Sequence, residues 1–146
     1  MIIYLDTSAL VKSYIQEKGT SQVRQWVSNC SMSGTSLISK AELASALSIA
    51  VRLNRLANAQ AQAVWQEFRR DWMSLYKIEI SESIVERAAA IVWDHRLRGY
   101  DAIHLSAAIS WQEQLGESLT LATFDGELWQ AARNAGLGVL PEGLEV

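Results

Sequence analysis

Four acidic residues stand where the pattern of the chain changes. Asp6 closes the apolar run Ile2-Ile3-Tyr4-Leu5, and Glu42 lies in the first turn of a helical stretch opened by Ser39-Lys40-Ala41. Asp101 begins the segment Ala102 to Ile109, and Asp125 follows the run Leu119 to Thr123 and Phe124. Open α/β sheets gather their chemistry at the carboxyl ends of the strands, so all four acids can point into one crevice. Four carboxylates in one crevice repel each other and force some to take up protons unless positive charge offsets them. Helix N-termini supply part of that charge and a divalent cation the rest. The donors are hard oxygens with no Cys or His pair, which favours Mg²⁺ or Mn²⁺ over Zn²⁺. Sites of this kind act on phosphoryl groups, the metal activating water and stabilising the attacking and leaving oxygens.

Each acid has a plainer explanation. Ser39-x-x-Glu42 is a capping-box pattern, and Asp6, Asp101 and Asp125 are each placed to cap a helix. Capping alone, however, is served equally by Ser or Thr, and the helix starts at Thr20 and Ser81 use those.

The elements that must position these acids read as alternating strands and helices. Ile2 to Leu5 is continuously apolar, as in a strand buried on both faces. A helix over Ser8 to Gln16 is ended by Gly19, and a second runs from Thr20 to Ser28. Ser31 to Gly34 reads as a loop and Thr35-Ser36-Leu37-Ile38 as the second strand. The helix carrying Glu42 and a helix reaching Trp72 form a hairpin around the polar break Asn54 to Asn58. Tyr76 to Ile80 is a third, more exposed strand, and Ser81 or Ser83 caps the next helix. The Asp101 helix is apolar nearly all round, hence buried. Leu119 to Thr123, a helix over Asp125 to Ala135, and the brief strand Gly138-Val139-Leu140 complete the chain. Strands separated by helices imply parallel pairing in a three-layer α/β/α domain.

At 146 residues the sequence fits one domain spanning 1–146, with a sizeable core. The lone Cys30 excludes an internal disulfide and fits a reducing compartment. With no signal-peptide pattern and no run near the ~20 apolar residues of a membrane span, a cytoplasmic protein is expected. A net charge of −3 argues against binding nucleic acid through overall charge, though not against a nuclease with local basic residues.

The runs Leu5-Asp6-Thr7-Ser8-Ala9-Leu10, Ala41-Glu42-Leu43, Arg98-Gly99-Tyr100-Asp101-Ala102-Ile103-His104-Leu105-Ser106-Ala107-Ala108 and Thr123-Phe124-Asp125 together resemble the PIN domain. More narrowly, they resemble the VapC-type toxins of bacterial toxin–antitoxin pairs. The likeness spans essentially the whole chain, and the Asp101 segment is its most specific part. It implies a PIN-like fold, with a central, mainly parallel sheet of about five strands, and a small metal-dependent endoribonuclease. Asp6, Glu42, Asp101 and Asp125 would be its catalytic residues and its Mg²⁺ or Mn²⁺ ligands. Thr7, Ser8 and Thr123 would be neighbouring polar groups that orient ligands or water. The implied partners are an RNA substrate, a cognate antitoxin that neutralises the enzyme, and a second copy in a homodimer. Some relatives carry another acid just after the last Asp; here Glu127 is the nearby acid, which leaves the number of metal ions open.

Arg98, with His95, Arg96, Lys12 and Lys40, is a candidate contact to RNA phosphates; a solvated helix end is the alternative for the first three. His104, inside an apolar helix, is expected to be a packing histidine rather than a general base. The tryptophans fall mostly on apolar stripes and read as core, with Trp65 and Trp72 the alternative candidates for a protein interface. Other classes cluster acids at strand ends too. A haloacid-dehalogenase-like phosphotransferase would want a second Asp where Ser8 stands. A receiver domain would want an Asp after the third strand and a Lys after the last, and the sequence has neither. A non-toxin PIN-like nuclease and a PIN-like binding module without catalysis remain the closer alternatives.

Overall fold

A computed structural model describes residues 1–144. Ile2–Leu5 forms β1, whose four side chains are all buried. That follows from its place: β1 pairs in parallel with β2 (Met32–Ser36) on one side and β4 (Leu119–Ala122) on the other, Ile2 lying opposite both Met32 and Leu119. The edges are β3 (Tyr76–Ile78) beside β2 and β5 (Gly138–Leu140) beside β4, giving the order β3-β2-β1-β4-β5, all parallel.

Seven helices cover the two faces: α1 (Thr7–Tyr14), α2 (Thr20–Asn29), α3 (Ile38–Arg52), α4 (Asn58–Asp71), α5 (Glu82–His95), α6 (Gly99–Leu115) and α7 (Gly126–Asn134). Successive strand side chains point to opposite faces, so β1 serves two cores. Ile3 and Leu5 pack with Leu10, Val23, Leu43 and Phe68 from α1 to α4. Ile2 and Tyr4 pack with Ala88, Leu105, Trp111 and Leu128 from α5 to α7. The expected three-layer α/β/α domain with five strands is the observed one. None of the described helices is long and apolar enough to cross a membrane.

Three boundaries differ from expectation. The second strand occupies Met32–Ser36, taking in the supposed loop, while Leu37 and Ile38 turn into α3. Gly34 explains why: a Cβ there would lie 2.6 Å from the Trp111 ring, so the glycine makes room for the indole covering β2. The third strand stops at Ile78, two residues early. Gly19 does not end the first helix, which stops at Tyr14; at φ 96° it opens α2, a left-handed conformation glycine tolerates. The hairpin tryptophans face inward: Trp72 is buried, and Phe68 lies between it and Trp65 with ring centroids 5.2 and 5.5 Å away. The core reading of these two holds, while the most exposed aromatic side chains are Trp93 and Tyr100.

Candidate acidic site

The four acids come from four connections at the carboxyl edge of the sheet. Asp6 ends β1 and caps α1, its Oδ1 accepting from the Ala9 amide at 2.9 Å. Asp125 follows β4 and caps α7 through the Leu128 amide at 2.8 Å. For these two residues capping and site membership coincide. The capping explanation fails for the others. α3 begins before Ser39, whose hydroxyl bonds Thr35 at 2.6 Å, so no capping box forms with Glu42. Asp101 lies in the first turn of α6, behind the cap position held by Arg98.

Hydroxyls tie Asp6 to the β4–α7 connection. Thr123 Oγ1 donates to Asp6 Oδ2 at 2.7 Å and accepts from the Asp125 amide at 3.0 Å. Ser8 Oγ donates to Asp6 Oδ1 at 2.7 Å and accepts from the Phe124 amide at 2.9 Å. Thr7 Oγ1 donates to Glu42 Oε1 at 2.7 Å. The three supporting residues expected from the sequence are therefore in contact with the expected acids. Burial pushes the Asp6 carboxyl above its ordinary pKa. The electrostatic pull of the nearby His104 ring and the bonds from Ala9, Thr123 and Ser8 oppose that rise without cancelling it.

His104 is the functional neighbour that sequence reasoning missed. It is buried, as expected, but its Nε2 lies 2.7 Å from Glu42 Oε1 and its Nδ1 2.8 Å from Tyr4 Oη. Burial alone would raise the Glu42 carboxyl. The hydrogen bond and electrostatic pull of His104, then Thr7 and Arg98, outweigh it and hold Glu42 below the ordinary carboxylate value. The signal available in sequence was a lone polar residue on an otherwise apolar helix, which needs a partner when buried.

Arg98 belongs to the site in a different way from that expected. Its Nε donates to Asp101 Oδ2 at 2.9 Å and its Nη2 to Asp125 Oδ2 at 3.5 Å. These carboxylates raise the guanidinium pKa further, Asp101 most. Lys12 is drawn elsewhere, paired with Glu17 at 2.9 Å and lying over the Phe124 ring. Lys40 lies over Trp72. Lys12 thus has a carboxylate partner, whereas Lys40 has none among the described ion pairs. Glu127 is exposed and reaches the site through its charge on Arg98.

Among the described residues, no three His, Cys, Asp or Glu side chains are already gathered closely enough to hold a metal ion. The donor chemistry nonetheless fits a hard cation. All four acids offer oxygen, and the Asp101–Asp125 pair already accepts one positive group between them, the Arg98 guanidinium. The Arg98 side chain is 78% exposed.

A five-stranded parallel sheet with an acidic carboxyl edge defines a class of protein, and the PIN domain family model matches residues 3–134. The chain belongs to the PIN domain family. Among curated proteins it is 29% identical to Ribonuclease VapC45 of Mycobacterium tuberculosis, over 99% of this chain and 98% of that one. Among solved structures it is similar to a toxin–antitoxin complex from Klebsiella pneumoniae (21% identity, 98% and 99% coverage, TM-score 0.66). It is also similar to Mycobacterium tuberculosis VapC20, described as a sarcin-ricin loop cleaving toxin (18% identity, 92% and 95% coverage, TM-score 0.64).

Proposed function

We propose that this protein is a metal-dependent endoribonuclease that acts as a toxin and is neutralised by a cognate antitoxin. The observation that carries the reading is the convergence of Asp6, Glu42, Asp101 and Asp125 on one sheet edge of a PIN domain, with Thr7, Ser8 and Thr123 bonded to two of them. The ribonuclease name of its curated relatives and the toxin–antitoxin complex among its structural neighbours support the same reading.

In this reading the four carboxylates would hold Mg²⁺ or Mn²⁺, which would supply water activation and stabilise charge developing on the phosphodiester. The chain's own groups do the rest. Thr123 and Ser8 fix Asp6 against the β4–α7 connection. Arg98, released from Asp101 and Asp125, contacts an RNA phosphate at the rim. Ile49 of α3 and Leu53 just past its end, with Trp93 and Tyr100, are exposed and supply apolar surface for a second copy of the chain. A species that stays monomeric at micromolar concentration in light scattering overturns the self-association part.

Purified protein is expected to cut RNA in Mg²⁺ or Mn²⁺ and to stop in EDTA, leaving 5′-phosphate and 3′-hydroxyl ends. Undiminished cleavage after thorough chelation, or 2′,3′-cyclic phosphate products, overturns the mechanism. Growth arrest on expression, relieved by the co-expressed antitoxin, tests the toxin assignment; an antitoxin that binds without reducing cleavage overturns the inhibition.

A further inference from the structure

A hydrogen-bond chain runs from the core to the crevice through Tyr4, His104 and Glu42. Tyr4 Oη lies 2.8 Å from His104 Nδ1, and the two rings meet edge to face with centroids 5.9 Å apart. Tyr4 is fully buried and His104 is 2% exposed, so water does not compete for these bonds. With Tyr4 Oη donating to Nδ1, Nε2–H donates to Glu42 Oε1 at 2.7 Å. Thr7 Oγ1 donates to the same oxygen at 2.7 Å. Both bonds fall on Oε1, and Oε2 takes part in neither.

Glu42 needs such a holder more than the other acids do. Asp6 and Asp125 have short side chains fixed by the helix ends they cap. Glu42 has one more rotatable bond, caps nothing, and without a holder would lose rotamer freedom on entering the site. Any buried histidine needs a partner; what a packing role does not account for is that the second partner of His104 is the Glu42 carboxylate at the crevice.

We propose that His104 is a positioning residue: backed by Tyr4 and helped by Thr7, it locks Glu42 on Oε1 so that Oε2 is the oxygen presented to the crevice. The proposal rests on the reading of Glu42 as a metal-site carboxylate.

The test measures Mn²⁺ binding to the RNA-free protein, and separately kcat and KM for RNA cleavage. The set comprises the parent, Glu42→Gln, His104→Leu, His104→Gln, Tyr4→Phe and the double variant Glu42→Gln/His104→Leu. His104→Leu should weaken Mn²⁺ binding and lower kcat by about 10- to 100-fold, the usual range for groups that orient a metal ligand, with KM for RNA unchanged. His104→Gln, whose amide N–H reaches the same oxygen, should recover much of the loss. Tyr4→Phe should lose less, in the same direction, and keeps the proposal testable if His104→Leu does not fold. In the Glu42→Gln background, His104→Leu should add nothing, since groups acting through one residue are not additive. Undiminished Mn²⁺ affinity and kcat in folded His104→Leu or in Tyr4→Phe overturns the proposal. So does an equal loss in both backgrounds. Unaltered Mn²⁺ affinity in Glu42→Gln overturns the site reading itself, which separates the two failures.

Discussion

Asp6 and Glu42 are held from beneath by buried groups, whereas Asp101 and Asp125 are held together from outside by one exposed arginine. The partners differ far more than the acids do. His104 is 2% exposed at the side chain, and Arg98 is 78% exposed. The Thr123 hydroxyl and the His104 imidazole are buried and make bonds that water cannot replace, and leaving a buried partner unsatisfied is costly. An exposed guanidinium makes bonds that water and salt weaken. One side of the crevice thus leans on buried groups, while on the other Asp101 leans on an exposed arginine and Asp125 is fixed chiefly by the α7 end it caps. The division is the one the proposed function would need, a fixed shape on one side and room for a cation and a phosphate on the other.

The largest expected effect erases the contrast. Asp6→Asn and Asp125→Asn, one from each half, should each lower RNA cleavage by about 100-fold or more, the scale on which removing one preorganised electrostatic group acts. Single-turnover cleavage, corrected for folded fraction, measures it. A variant from either half that cuts at the parent rate removes that residue from the machinery.

Stability should then separate the halves. Asp6→Ala removes a helix cap worth about 1 kcal/mol and strands the buried Thr123 hydroxyl, a loss of about 1–3 kcal/mol more. Asp101→Ala removes an ion pair to an exposed arginine and should cost less than about 1 kcal/mol. Urea unfolding of both, with EDTA present, is the measurement; equal losses would break the comparison.

Within the buried half, pH should act with opposite signs on metal-free protein. The Asp6 carboxyl is raised from 3.8, so the folded state holds its proton more tightly than the unfolded chain does. Its contribution therefore falls as pH climbs from 3.8 through the folded value. Glu42 is lowered from 4.5, so its contribution is present above 4.5 and is lost as pH falls through the folded value. Asp6→Asn should gain stability relative to the parent as pH rises from acid towards neutral, and Glu42→Gln should lose it. Urea midpoints at a series of pH values decide; parallel curves for parent and Asp6→Asn would show that burial of the charge has no such cost.

The smallest effect belongs to Arg98. Arg98→Gln should change stability by on the order of 0.2–1 kcal/mol at low salt, and by nothing measurable at high salt. A difference that survives high salt would place Arg98 among the preorganised groups.

The acids were legible because each stands where a periodic segment begins or ends, and a strand end followed by Asp is a local signal. Their partners were not local. His104 and Glu42 are 62 residues apart, and Tyr4 and His104 are 100 apart, so a lone histidine on an apolar helix read as packing. Capping, offered for all four acids, holds for two of them. It is real at Asp6 and Asp125 alongside their place in the crevice, and it is absent at Glu42 and Asp101. The second strand was misplaced because Met32-Ser33-Gly34 carries turn residues, and the indole that rewards a glycine there comes from Trp111. Arg98, Lys12 and Lys40 looked alike as charges near acid-bearing segments. What separates them is their partners, which only the folded chain brings together.

The pairing of β1 with β4 also sets when the site can exist during synthesis. The Thr123 bond to Asp6 spans 117 residues of sequence. A ribosome making this chain produces β1 first and the strand that completes its far side near the end. Until β4 and the turn carrying Asp125 have left the exit tunnel, Asp6 has no Thr123 beneath it and the crevice lacks its fourth acid. Non-local pairings of this kind form late. A nascent chain therefore emerges without an assembled acidic site, and gains it only when the last strands of the sheet have joined.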